Sequence, residues 1–173
     1  MDTSKITIET KNFLLKPITL DYKEEIFKEF TLKITKYMFP KSPEKIKETI
    51  EFIKDSMNKN KEGKDLVVVI LNKKTKEYLG NGGVHHIDTK TPELGIWIKK
   101  SAHGNAYGKE AVVALKKWAD DNLKYEYILY PVVDANYASR KIPEFLGGKI
   151  EREYDKINMS GVEQHLLEYR IYS

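Results

Sequence analysis

At 173 residues, with 40% hydrophobic and 32% charged side chains, the chain has the make-up of a soluble protein built around one core. A single domain over residues 1–173 is expected and a two-domain enzyme is excluded. Thirty Lys and Arg against 26 Asp and Glu leave a net charge of +4, but both signs are dispersed, which argues against a nucleic-acid partner. The absence of cysteine removes disulfides, thiolate metal ligands and a cysteine nucleophile.

Ile6 and Ile8 alternate with Thr7 and Glu9, and Phe13 to Ile18 form an apolar run broken by Pro17, so residues 5–18 read as a strand or hairpin. Thr19 or Asp21 can cap a helix over 21–30, with Leu20 stapled against Ile26, Phe27 and Phe30. Residues 31–41 read as a loop carrying Tyr37, Met38 and Phe39. Ser42-Pro43-Glu44 opens a second helix whose apolar positions Ile46, Ile50, Ile53 and Met57 repeat at helical spacing up to Asn58. Leu66–Leu71 is too short and too apolar for anything but a buried strand, and it leads into a turn at 72–75. Residues 78–87, with Gly80, Gly82 and Gly83, and residues 94–98 continue an antiparallel meander. From Tyr107 the period changes. Ala111, Val112, Leu115, Trp118 and Ala119 share one helical face, and Lys109, Lys116, Lys117 and Asp120 take the other. A strand over 125–133, a helix over 136–146 and strands over 149–157 and 164–172 complete the order ββααβββαβαββ, an α+β architecture with helices on both faces of a mostly antiparallel sheet.

The chemistry concentrates where strand 94–98 turns into helix 107–122, through Lys99-Lys100-Ser101-Ala102-His103-Gly104-Asn105-Ala106-Tyr107-Gly108. A helix start offers unpaired N–H groups and a partial positive charge, and small residues let those donors close on a phosphate. The stretch has neither the Gly-Lys-Ser/Thr ending of a P-loop nor the glycine spacing of a dinucleotide fold. Tight packing of a strand-to-helix turn would select the same small residues.

The spacing His103-x-x-Ala106-x-Gly108 resembles the Gln/Arg-x-x-Gly-x-Gly/Ala motif of the GNAT acetyltransferases, with His103 and Ala106 in place of the usual residues. Downstream, Asn136-Tyr137-Ala138-Ser139 and Phe145-Leu146-Gly147-Gly148 resemble the family's Asn-x-x-Ser/Ala helix and its Lys-x-Gly-Phe ending. The opening Thr10 to Pro17, Asp21 and Ile34 to Met38 is similar to that of the branch that acetylates ribosomal proteins. The resemblance spans nearly the whole chain. It implies the acyl-CoA N-acyltransferase fold, acetyl-CoA as cosubstrate without a metal, and transfer by direct attack to a primary amine, on a protein N-terminus or a small molecule. Independently of the resemblance, Asp2, Lys5, Glu9 and Lys11 near the start and the lack of a membrane-length apolar run make a cytoplasmic location without a membrane partner the default expectation, and monomer and homodimer both stay open.

Residue by residue, the resemblance implies a cosubstrate site from the backbone of Ile96, Trp97 and Ile98 and from His103, Gly104, Asn105, Ala106, Tyr107, Gly108 and Lys109. Asn136 would bond the pantetheine arm and Ser139 would protonate the leaving thiolate, because Pro143 stands where the family commonly has an acidic tyrosine. Asn136 and Ser139 could equally cap a helix. Glu93 is the expected base, on the pleat face of Gly95 and Trp97, or else an ordinary strand-end carboxylate. Adjacent strand residues point to opposite faces, so His85 and His86 cannot both serve one metal; either one of them, taken as His85, lines the acceptor cleft, or one is packed and the other exposed, and Tyr37 and Phe39 either wall the amine pocket, as the resemblance implies, or are plain core. The departures at His103, Ala106, Pro143 and Gly148 keep open a second class, a GNAT-fold module that holds CoA without turnover.

Overall fold

The computed structural model describes residues 1–173. Its elements are β1 (Ile8–Glu9), β2 (Phe13–Pro17), α1 (Lys23–Glu29), α2 (Leu32–Thr35), α3 (Ile46–Glu62), β3 (Leu66–Asn72), β4 (Tyr78–His85), β5 (Glu93–Ile98), α4 (Tyr107–Asn122), β6 (Ile128–Val133), α5 (Tyr137–Phe145), β7 (Lys149–Ile157) and β8 (Glu163–Ile171). The expected order is found, with α2 added inside the segment read as a loop. No helix is long and apolar enough to cross a membrane.

All eight strands join one sheet in the order β1-β2-β3-β4-β5-β6-β8-β7. β3 shows why it lies at the centre. Val67, Val69 and Leu71 point to one face, where they meet Ile18, Ile26 and Ile53 beneath α1 and α3. Leu66, Val68 and Ile70 point to the other, in the cluster with Ala111, Val112, Leu115 and Ala119 of α4. A strand buried on both faces has no use for polar alternation, which is why its sequence is a continuous apolar run.

Every neighbouring pair is antiparallel except β5–β6, which is parallel and matched at Glu93 and Leu129 alone. The sequence supplies the reason. The Leu129 N–H donates to the Pro92 carbonyl at 2.8 Å, toward β5, and the Asp134 N–H donates to His165 at 3.0 Å, toward β8. Backbone polarity alternates along a strand, so odd-numbered positions of β6 face β5, and the next of these is Pro131, which has no N–H to give. The ladder stops there and the strands part, opening a notch through the sheet.

Several boundaries move for local reasons. The first helix starts at Lys23 after a 3-10 turn at Leu20–Tyr22; Thr19 donates to the Asp21 carboxylate at 3.3 Å and neither side chain caps the helix. The second long helix starts at Ile46, not at Ser42, because the Glu48 carboxylate accepts the N–H groups of Glu44 (2.7 Å) and Lys45 (2.9 Å). It runs a turn past Asn58, to a left-handed Gly63 (φ 71°). β6 starts at Ile128 instead of 125, since the Tyr125 hydroxyl turns back to Asp120 on α4. β4 ends at His85 because His86 adopts a left-handed conformation (φ 55°).

Candidate active site

The notch is the waist of a cleft of about 640 Å³. On one side of the sheet its lining includes Ser139 and Asn136 at the start of α5, and on the other Glu93, His85, Tyr37 and Phe39. Ile96 and Trp97 line it too, whereas Ile98 and the cradle residues His103 to Lys109 do not; the sheet divides this space into two chambers.

On the α4 side the cradle is made of main chain. The first intrahelical bond of α4, from the Glu110 N–H to Ala106 at 3.3 Å, leaves the N–H groups of Tyr107, Gly108 and Lys109 without helical partners. The side chains of this segment turn away. His103 Nε2 donates to the Ile98 carbonyl at 2.6 Å, so its ring braces the turn. Asn105 Nδ2 donates to Ala102 at 3.2 Å, Tyr107 packs edge-on against Phe13, and the Lys109 ammonium lies 3.5 Å over the Phe145 ring. Gly104 (φ 84°) and Ala106 (φ 57°) supply the left-handed turns that aim the donors. Gly108 is not an open surface position: a Cβ there would rest in ordinary contact with Ile142, Ile98 and Ile96 at 3.6–3.9 Å.

Asn136 Oδ1 accepts the Ser139 N–H at 3.3 Å and so caps α5. Ser139 Oγ is 2.9 Å from the Tyr130 hydroxyl. Burial pushes the Tyr130 phenol up to about 12, against the opposing effect of the Ser139 bond. The sequence reading passed over Tyr130; its signal was the Tyr-Pro pair inside an apolar strand, the proline opening the notch beside the hydroxyl. Tyr137, by contrast, is 69% exposed and lies under the Arg140 guanidinium.

On the α1–α3 side, Glu93, Gly95 and Trp97 share a pleat face. The Trp97 ring lies tilted on Phe30 and edge-on to Tyr78, and its main chain faces Asn81 of β4, so neither serves the cosubstrate side. Ile96 packs on the α4 side instead. Burial pushes the Glu93 carboxyl up, offset only in part by His85, His86 and Lys156. His85 stands directly across from Glu93 on β4. The outer wall is the segment around Tyr37 to Phe39, tied to the β7–β8 turn by the bond from Asn158 Nδ2 to Met38 (3.3 Å) and from the Met159 N–H to Phe39 (2.9 Å). Lys156 covers the Phe39 ring at 4.0 Å. No cluster of three His, Asp or Glu side chains suits a metal.

A mixed sheet parted between two parallel strands, with a helix N-terminus at the gap, defines an acyl-CoA N-acyltransferase architecture. The model of the acetyltransferase (GNAT) domain matches residues 12–149, and the chain belongs to the GNAT acetyltransferase family; its class of activity is N-acetyl transfer. No curated protein matches the chain. Among solved structures, the microcin self-immunity acetyltransferase MccE, in complex with acetyl-CoA and AMP, superposes with a TM-score of 0.82 at 20% identity, covering 95% of this chain and 94% of that one. The ribosomal-protein α-N-acetyltransferase RimL in complex with coenzyme A gives 0.83 at 14% identity, covering 96% and 98%. A GNAT-family acetyltransferase from Bacillus anthracis gives 0.81 at 18%, covering 96% and 98%. At these identities the likeness establishes the fold.

Proposed function

We propose that the protein, as one N-acetyltransferase domain, moves the acetyl group of acetyl-CoA by direct attack onto a primary amine, either a protein N-terminal α-amine or the amine of a small molecule. The observation that carries this reading is the cleft that crosses the sheet at the β5–β6 notch. One chamber abuts, through Ile96, the start of α4, whose unpaired helix N–H groups lie outside the cleft lining and suit a pyrophosphate, and the other holds an aromatic wall with Glu93 and His85. The acyl donor and the acceptor would then meet at the waist.

In this mechanism the α4 N-terminus holds the pyrophosphate, and Asn136 bonds the pantetheine arm with the amide hydrogens its capping role leaves free. Acetyl-CoA supplies the thioester. Main-chain N–H groups of β5 that face the notch, at Ile96 and Ile98, polarise its carbonyl. The acceptor arrives as an ammonium and loses one proton toward Glu93 through water. Its lone pair attacks the carbonyl carbon and the carbon–sulfur bond breaks. The thiolate takes a proton from Ser139, which Tyr130 orients, and the second N–H proton that the amine nitrogen loses as the amide forms restores the serine hydroxyl through water.

The test is thiol release from acetyl-CoA with a panel of peptides and small amines. Release that depends on the amine, with acetylated product identified by mass spectrometry, is expected. CoA binding without release for any amine would establish the second reading, a module that holds the cofactor without turnover.

A further inference from the structure

Asp65 and His85 form a pair outside the family's motifs. Asp65 immediately precedes β3, and its carboxylate is only 7% exposed. Oδ2 lies 3.1 Å from His85 Nδ1, and Oδ1 accepts the His86 N–H at 2.9 Å. The residue is fixed from behind as well, its carbonyl accepting from Thr3 Oγ1 at 2.6 Å. Burial pushes the Asp65 carboxyl up, but the bonds from His85 and His86 outweigh this and hold it below the ordinary range. The carboxylate is therefore ionised at neutral pH and accepts a hydrogen from Nδ1, which leaves the lone pair of the neutral ring on Nε2.

The other end of the ring lies where two glycines make room for it. A Cβ on Gly83 would come within 3.2 Å of Nε2, and one on Gly95 within 3.3 Å. Glu93 is the cross-strand partner of His85, and His85, Glu93 and Gly95 all line the acceptor chamber. The ring is thus oriented by a buried carboxylate at one nitrogen and presented to the cleft at the other.

We propose that Asp65 and His85 complete the base begun by Glu93, with His85 Nε2, and not the Glu93 carboxylate across the strand pair, as the final acceptor of the proton that leaves the amine toward Glu93. The inference rests on the acetyl-transfer reading and deepens it. The ammonium gives one proton to Nε2, the ring becomes an imidazolium between the carboxylates of Asp65 and Glu93, and the amine attacks with its freed lone pair. A second N–H proton is lost as the amide forms and balances the one taken by the departing thiolate; the imidazolium returns its proton to solvent. The charged and titratable groups facing this step are Asp65 ahead of β3, Lys59 on α3 beside Asp65, His86 after β4, Glu93 on β5, Lys156 on β7 and Glu168 on β8.

The experiment has two arms. Nitrogen-15 NMR of the wild-type protein is expected to find neutral His85 protonated at Nδ1; protonation at Nε2 would overturn the proposal, whether or not any amine turns over. Thiol release across pH, with an amine that is turned over, forms the second arm. His85→Gln is expected to lower kcat/KM on the order of 10²-fold near neutral pH and to recover at high pH, with KM for acetyl-CoA unchanged. Asp65→Asn is expected to lower kcat/KM near neutral pH and to recover at high pH in the same way, because an amide no longer holds the neutral ring with its hydrogen on Nδ1 and its lone pair on Nε2. His165→Gln, on the exposed surface of β8, is the control and should match the wild type. Profiles for His85→Gln and Asp65→Asn that parallel the wild type would overturn the relay and leave a structural tie between β3 and β4. Failure of every amine to release thiol would instead strike the acetyl-transfer reading, while the tautomer still judges the pair.

Discussion

Ser139 hydrogen-bonds Tyr130 at 2.9 Å, and either hydroxyl can donate, so the proton for the departing thiolate has two candidate sources. Ser139→Ala removes the group nearest the helix cap and is expected to lower kcat on the order of 10²-fold while acetyl-CoA binding changes little. Tyr130→Phe should cost less, because Ser139 stays with a solvent partner. A normal rate in Ser139→Ala together with a collapse in Tyr130→Phe would make Tyr130 the acid. Glu93 carries a different signature. Burial raises its pKa, and a carboxyl raised in the folded state stabilises the fold below its unfolded pKa and loses that contribution as pH rises through the folded value. At pH 7 the ionised group is a net burden on stability. Glu93→Gln is therefore expected to melt at a higher temperature than the wild type at pH 7, yet to lose activity there and regain it at higher pH, where amines deprotonate unaided. Lower melting together with equal loss of activity at every pH would mean that Glu93 anchors structure or substrate by its charge. Ala106 shows how a departure from a motif becomes intelligible at this scale. It occupies the glycine position of the cradle and holds a left-handed φ of 57°, a conformation that costs a non-glycine residue about 1–2 kcal/mol.

At the scale of elements, α4 is held in place by Glu110 in its first turn. The carboxylate accepts from Thr10 Oγ1 (2.7 Å), the Asn12 N–H (2.8 Å) and Asn12 Nδ2 (2.7 Å), which joins the β1–β2 turn to the cradle helix. Burial pushes Glu110 up, but the Asn12 and Thr10 bonds prevail and its pKa lies below the ordinary value. Its stabilising contribution is therefore present above the unfolded pKa and lost as pH falls through the folded one. Glu110→Ala should lower stability by about 1–3 kcal/mol at neutral pH, measured by urea unfolding, and the difference from wild type should shrink in acid. A gap that persists at acid pH would put the loss in packing instead of charge. These bonds join residues nearly a hundred positions apart, and nothing in the sequence around either end announces them. The elements themselves were legible because each rests on a local signal: the 3.6-residue period of α4, the unbroken apolar run of β3, the Pro17 that breaks the first apolar run. Tertiary contacts override such signals at the ends. Glu48 claimed the start of α3 from Ser42, and Asp120 drew Tyr125 out of β6. In the site, the main-chain cradle and the Asn136 cap followed from helix-end chemistry, whereas Tyr130 and Asp65 became visible only when the pairing of strands brought them to Ser139 and His85.

Across the whole molecule, the sheet falls into two bodies, β1–β5 and β6–β8, joined in the ladder through the single matched pair Glu93–Leu129, while one apolar cluster runs beneath both, from Phe13 and Val68 through Leu115 of α4 to Tyr130, Leu167 and Ile171. Packing supplies the other joints. Gly108 of α4 faces Ile142 of α5, the Lys109 ammonium covers Phe145, and the segment at Lys36 to Phe39 bonds to Gln164, Asn158 and Met159 of the β7–β8 hairpin. A ligand lying in the notch touches both bodies, and its binding energy then opposes any motion that separates them. Acetyl-CoA at 100 times its Kd should stabilise the fold by about 2.7 kcal/mol, seen as a higher melting temperature. Hydrogen exchange should locate that gain. Amides of β6, α5 and the first turn of α4 are expected to slow most, with β1–β3 little changed below the threshold of global unfolding. Uniform slowing over all strands would mean that the halves already open as one unit and that the notch is no hinge. Slowing confined to residues away from 96–109 and 130–139 would move the acetyl-CoA site out of the cleft altogether.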